Sequence, residues 1–292
     1  MTNTVSTPVG ATMSESAFAT ISTLAKAEAG LVLPTSKLTM VQSRLRARLA
    51  QTGLASYEAY AKFVSGPEGQ AERRFMISAL TTNVSHFFRE NHHFEIMRKT
   101  ALPRLVAKAK SGQPLRIWSA GCSSGQEPYS IAMLILDAAP ELASLDTLIL
   151  ASDIDPRILE KAEAGVYAEQ QITGVPEAYR SKFLTRTTDG YQVTNAVKRL
   201  VRFRELNLLG EWPMRTKFDV IFCRNVVIYF DNATQDSLWP RFEAALQPTG
   251  WLFLGHSERV SDAAQSRFVS VGMTAYQPSS AGGLADKIKK PA

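Results

Sequence analysis

This 292-residue chain has only two cysteines, Cys122 and Cys223. Both sit at the ends of strand-like apolar runs, which excludes a disulfide-built scaffold and fits reduced thiols. The four histidines, His86, His92, His93 and His256, show no zinc-ligand spacing and have no cysteine pair beside them, so no metal site is expected. No apolar run approaches the ~20 residues that span a bilayer. The first residues lack the basic and apolar regions of a secretory leader, and the expectation is a soluble, cytoplasmic protein. There is no nucleophile elbow, P-loop or kinase signature. Charge of neither sign is scarce: 33 Lys and Arg against 27 Asp and Glu leave a net +6. Such an excess suits an acidic protein, nucleic acid or a membrane surface and selects none of them.

What is present divides into two textures. Residues 1–13 are small and polar, and disorder is expected there. From Ser14 to about Lys110 the pattern is helical, with Leu38, Val41, Leu45 and Leu49 forming one apolar stripe, and an N-terminal helical domain is expected over 14–90. Between Ser111 and Tyr276 short apolar strands alternate with helices, the mark of a mostly parallel sheet covered on both faces, and a second domain is expected over 91–277. The expected strands are Leu115–Ser119, Thr147–Ser152, Leu200–Glu205, Phe218–Cys223, Gly250–Leu254 and Phe268–Tyr276. About 35 residues separate the helix Pro156–Ala164 from the strand at Leu200, too many for an ordinary connection. Within them Asp189-Gly190 is a hairpin-turn signal, so a small antiparallel insertion is expected at about 167–198. Residues 278–292 read as a flexible tail.

The chemistry concentrates at strand ends. Ile117-Trp-Ser-Ala-Gly-Cys-Ser-Ser-Gly-Gln-Glu-Pro-Tyr129 places a glycine loop between a strand and a helix start, the usual setting of a nucleotide-like ligand. Gly121 and Gly125 do not have dinucleotide spacing, and Glu127 would oppose a pyrophosphate. The ligand implied carries adenosine and a cation without phosphates. Asp153 ends the next strand, where an acid accepts from ribose hydroxyls, whereas Asp155 before Pro156 reads as a helix cap. The apolar run from Phe218 leads into Cys223-Arg224-Asn225. Apolar flanks on both sides imply a buried Arg224, which needs an anionic partner from the protein or a substrate. Lys37, Arg44 and Arg48 share one side of a helical wheel, either as a solvated basic face or as a dock for an acidic partner.

In order along the chain, six stretches resemble the bacterial chemotaxis receptor methyltransferases, the CheR family: residues 81–94, 118–130, 151–155, 207–209, 222–231 and 254–258. The resemblance implies a Rossmann-like S-adenosylmethionine-dependent domain with an N-terminal all-α domain and a small β-subdomain insertion. It implies methylation of glutamate side chains on chemoreceptor helices, tuning chemosensory adaptation. By motif position, Asn83, Ser85, Arg89, Gly121, Glu127, Asp153, Asn207, Leu208, Cys223 and Arg224 would contact the cofactor, with Ser85 keeping the hydroxyl of the more usual Thr. Arg89, Arg224 and Tyr229 would be the catalytic residues. Members that tether to a receptor C-terminal pentapeptide have a longer, Gly-flanked loop than Thr185-Arg-Thr-Thr-Asp-Gly190, so no such tether is expected here.

Three other readings stand beside it. A nucleic-acid methyltransferase would suit the positive charge, but amine methylation calls for an Asn/Asp-Pro-Pro-aromatic signature where this chain has Arg224-Asn-Val-Val, and no RNA-binding module is evident. A non-catalytic cofactor-binding protein would not need Arg89, Arg224 and Tyr229 together. A dinucleotide oxidoreductase is opposed by the loop spacing and Glu127. Nothing in the pattern demands more than a monomer.

Overall fold

The computed structural model describes residues 12–281. The chain separates into two compact units: residues up to Thr82 with Tyr229–Asp231, and Asn83–Ile228 with Asn232 onward. The division falls at residue 82 rather than near 90, because Phe87 and Phe88 are buried in the core of the larger unit. The expected disorder of 1–13 and 278–292 lies mostly outside the described residues. At its inner edges it is corrected: Met13 is buried and its N–H donates to Gln42, and Pro278 ends a strand.

The smaller unit is helical: α1 (Glu15–Ala29), α2 (Leu38–Thr52), α3 (Tyr57–Ser65) and α4 (Gln70–Leu80). Ser14 and Ser56 cap α1 and α3 by accepting the N–H three residues on, at 3.2 and 3.1 Å. The α2 stripe points inward, with Val41, Leu45 and Leu49 buried beside Ile21, Tyr57, Tyr60 and Met76. The proposed basic face does not form as drawn. Arg48 is buried, with Nε 2.8 Å and Nη2 2.5 Å from the Glu72 carboxylate, whose Oε1 also accepts the Tyr60 hydroxyl. Arg44 donates to the carbonyls of Leu80 and Thr81 and to the Thr82 hydroxyl, and Lys37 alone of the three is exposed. Helical-wheel position shows which residues share a side, but not which of them the next helix covers.

In the larger unit, α5 (His92–Ile96) runs through a π turn into α6 (Leu102–Lys110). Then follow β1 (Leu115–Ala120), α7 (Gln126–Ala138), β2 (Thr147–Asp153), α8 (Pro156–Ala164) and β3 (Val166–Tyr167). Next come α9 (Glu177–Phe183), β4 (Leu184–Thr187), β5 (Gly190–Val193), α10 (Asn195–Lys198), β6 (Val201–Glu205) and β7 (Phe218–Cys223). The last elements are α11 (Asn232–Ala245), β8 (Leu246–Leu254), β9 (Phe268–Gly272) and β10 (Ala275–Pro278).

Seven strands form one sheet in the order β6-β2-β1-β7-β8-β10-β9, parallel except where β10 joins β8 and β9 joins β10. β3, β4 and β5 make the small antiparallel sheet, in the order β3-β5-β4. The run Phe268–Tyr276, expected as one strand, is a hairpin that turns at Met273-Thr274, where Thr274 takes φ 50°. Apolar alternation continues through a turn of this kind and conceals it. β1 leads to β2 on one side, while β7 pairs on the other, so the strand order reverses at β1. Ligands bind in the crevice beyond the carboxyl ends of strands at such a switch point. Among the described residues, no helix is long and apolar enough to cross a membrane.

Candidate functional site

Three strand ends meet at the switch point, those of β1, β2 and β7. The loop after β1 turns at Gly121, whose φ of 79° disfavours a side chain and whose missing Cβ leaves room for Val226. Gly121 and Cys122 donate their N–H groups to the Ser152 carbonyl at 2.8 and 2.9 Å, which ties this loop to the end of β2. Asp153 is buried there; its two oxygens accept the N–H groups of Ser123 (2.8 Å) and Asp155 (3.0 Å). Burial raises its pKa, and the backbone donors partly counter that. A carboxylate has about four lone-pair sites, so Asp153 can still accept from hydroxyls. Asp155 caps α8 by accepting the Arg157 N–H at 3.0 Å and also the Asn83 amide at 3.2 Å, and the Ser123 hydroxyl donates to the Asn83 carbonyl at 3.0 Å. Asn83 is thereby brought to the glycine loop from far away in the chain.

Arg224 leaves the carboxyl end of β7, whose six residues are all buried. Its side chain is only 2% exposed and lies 3.2 Å from both Glu90 and Glu127. It also donates to the Arg89 carbonyl. The anionic partner that a buried arginine requires is thus a pair of protein carboxylates, one from each side. Glu127, in the first turn of α7, also accepts the Ser119 hydroxyl at 2.7 Å. Burial pushes the Glu127 pKa up, although Arg224 and Ser119 pull against it. Burial works the same way on Glu90, but the charge of Arg224 and the hydrogen bonds from His256 outweigh it and hold that carboxyl at about 2. Among the described residues, Arg224 Nε is buried with no hydrogen-bond partner.

The other predicted residues are arranged more loosely. The Arg89 side chain donates to the Val84 carbonyl at 3.2 Å, and Ser85 is half-buried in the same segment. Asn207, just beyond β6, accepts the Leu209 N–H at 3.0 Å, and Leu208 is buried. Cys223 is fully buried, and desolvation raises its thiol pKa well above the ordinary value, as it does for Cys122. Tyr229 belongs to the helical unit, where its carbonyl accepts the Val32 N–H at 2.9 Å.

Sequence reasoning missed Glu90, Ser119, Ser123 and Glu258 as members of this network. The dipeptide Arg89-Glu90 was visible, but its pairing with Arg224 spans more than a hundred residues and leaves no local signal. Histidine spacing also gave no hint that Glu90, His92 and His93 place ligand-type atoms within 4.8 Å of one another. That cluster already faces a fixed cation, because Glu90 Oε2 is the atom beside Arg224.

Comparison with known proteins matches both units. The profile described as "CheR methyltransferase, all-alpha domain" covers residues 16–81, and "CheR methyltransferase, SAM binding domain" covers 83–277. A Rhizobium etli protein named "Probable chemotaxis protein methyltransferase" is 48% identical over 254 residues, spanning 86% of this chain and 95% of its own. "Chemotaxis protein methyltransferase 2" of Pseudomonas aeruginosa is 41% identical over 257 residues, 85% of this chain and 88% of its own. The Escherichia coli "Chemotaxis protein methyltransferase" is 38% identical over 269 residues, 90% of this chain and 91% of its own.

Proposed function

The chain belongs to the CheR methyltransferase family and includes its S-adenosylmethionine-binding domain, and we propose that it methylates glutamate side-chain carboxylates of bacterial chemoreceptors, acting from the cytoplasmic side. The names of its relatives support a chemotaxis target, and one observation supports a carboxylate as acceptor. Arg224 is buried, braced by Glu90 and Glu127, and keeps a desolvated Nε–H with no partner among the described residues. A directed arginine N–H suits an incoming carboxylate.

The site fits the cofactor in chemical terms. Asp153 has lone pairs left for ribose hydroxyls, Glu127 offers an anion to a cationic ligand, and Gly121 leaves the loop without a side chain. When bound, S-adenosylmethionine supplies a methyl group on a positively charged sulfur. A glutamate with a pKa of about 4.3 is already ionised at neutral pH, so the protein needs no general base. Alignment and exclusion of water remain as its tasks. Asn83, Ser85, Asn207, Leu208 and Cys223 complete the proposed cofactor lining. Arg89 holds the cofactor carboxylate, while Arg224 and Tyr229 orient the substrate glutamate.

The test uses radiolabelled S-adenosylmethionine, receptor-bearing membranes and the full chain, followed by mild alkali. A carboxyl methyl ester releases volatile methanol, and this is the expected result. Label that resists alkali, or appears only when RNA is added, would replace this reading with amine or nucleic-acid methylation. Tight cofactor binding with no transfer would leave a non-catalytic binding protein.

A further inference from the structure

We infer that Glu258, in the turn after β8, is a positioning residue that sets Arg224; the inference rests on the methyltransferase reading above. β7 and β8 run parallel with Cys223 beside Leu254, so the segments that follow them emerge side by side. Glu258 is 3% exposed, yet among the described residues its side-chain partners are backbone N–H groups rather than a cation. Its carboxylate instead collects backbone N–H groups: Asn225 and Gly255 on Oε2 at 2.8 and 2.5 Å, Val226 and Ile228 on Oε1 at 2.8 and 3.3 Å. Three of these four donors lie within the four residues that follow Arg224.

The close approach is built into both partners. Asn225 takes φ 60°, a left-handed conformation that a side chain adopts at some cost, and the Glu258 hydrogen bonds hold it there. A methyl group at Gly255 would stand 2.5 Å from Asn225 Nδ2, 2.7 Å from Glu258 Oε2 and 2.8 Å from the Asn225 nitrogen. The same turn also reaches the other side of Arg224. His256 donates its backbone N–H to Glu90 Oε1 at 3.2 Å, with its ring Nδ1 3.0 Å from that atom, and Glu90 Oε2 pairs with the guanidinium. Glu258 thus fixes the backbone that carries Arg224, while His256 steadies the carboxylate that aims it. Val226, whose N–H Glu258 accepts, places its side chain in the space left by Gly121.

A carboxylate that only stabilised the fold would change melting temperature without changing turnover per folded molecule. Two measurements separate the cases. In the wild type, amide hydrogen exchange at Asn225, Val226 and Ile228 is expected to be slow although these groups lie outside the sheet ladders. In Glu258→Gln, where one oxygen becomes a competing donor, those amides are expected to exchange faster. Turnover should fall about 100-fold, the scale of an ångström-sized misplacement, with receptor KM and S-adenosylhomocysteine affinity within about threefold. Gly255→Ala wedges a methyl group between Asn225 and the Glu258 carboxylate and carries the test if Glu258→Gln does not fold. Fast exchange at these amides in the wild type overturns the proposal, as does a folded variant with turnover within twofold. If the wild type forms no alkali-labile ester, the activity reading fails by itself, and the exchange pattern still decides the clamp.

Discussion

Arg224 is the residue around which the site is organised. Its burial was legible in the apolar segments flanking it, and so was the need for an anion. Glu90 and Glu127 were not legible as that anion, because local sequence does not encode a contact between distant segments. Arg224→Ala is expected to lower turnover by about 10²–10³, the usual loss when one buried donor is removed from a reaction site. Arg224→Lys should not restore it, since an ammonium cannot reproduce a fork held by two carboxylates. Turnover and S-adenosylhomocysteine affinity measured together check this; near wild-type turnover in the alanine variant would remove Arg224 from the chemistry.

His93 makes a pH prediction at the same scale. Burial, and then the charge of Arg224, holds its pKa down to about 3, and it faces His92 and Glu90 as well. In the unfolded chain the imidazole takes up a proton near 6.5. Below that pH the unfolded state binds more protons, so this contribution to stability is full above about 6.5 and is lost as pH falls toward 3. Melting temperature should therefore fall between pH 7 and 5, and less steeply in His93→Gln. Parallel slopes for the two proteins would show that His93 is charged in the fold.

At the scale of elements, strands and turns were read best where two signals agreed. Asp189-Gly190 between alternating runs marked the β4–β5 hairpin, and Gly190 does take a positive φ, 131°. The turn between β9 and β10 was missed because Gly272 is a single turn residue inside an otherwise strand-like run, and the two central positions, Met273 and Thr274, are not turn formers. The small sheet bears on partner choice. β4 and β5 are joined by Thr188-Asp189 alone, which leaves no Gly-flanked loop to cover a peptide added at a strand edge. Calorimetry with a receptor C-terminal pentapeptide is expected to show no binding, and a micromolar affinity would overturn this.

For the whole molecule, the helical unit and the sheet-based unit each have their own core. The helical unit depends on a buried ion pair: Arg48 and Glu72 side chains are 10% and 9% exposed. Arg48→Ala leaves the Glu72 carboxylate buried without its cation and should cost about 3–5 kcal/mol. The readout is a lower melting temperature with S-adenosylhomocysteine affinity unchanged, since Arg48 and Glu72 both belong to the helical unit. A large drop in that affinity would show the helical unit to be part of the cofactor site.

Hydrophobic periodicity and turn chemistry are local properties, so the sequence by itself determined the helical region, the parallel sheet, the inserted hairpin and the placing of Gly121, Asp153 and Arg224 at strand ends. Tertiary structure alone decided that Arg48 turns inward to Glu72, that Arg224 is held between Glu90 and Glu127, and that Glu258 gathers the backbone beside it. Burial creates these pairings: a charged or polar group removed from water takes whichever partner the packed chain brings within reach, and that partner is set by topology.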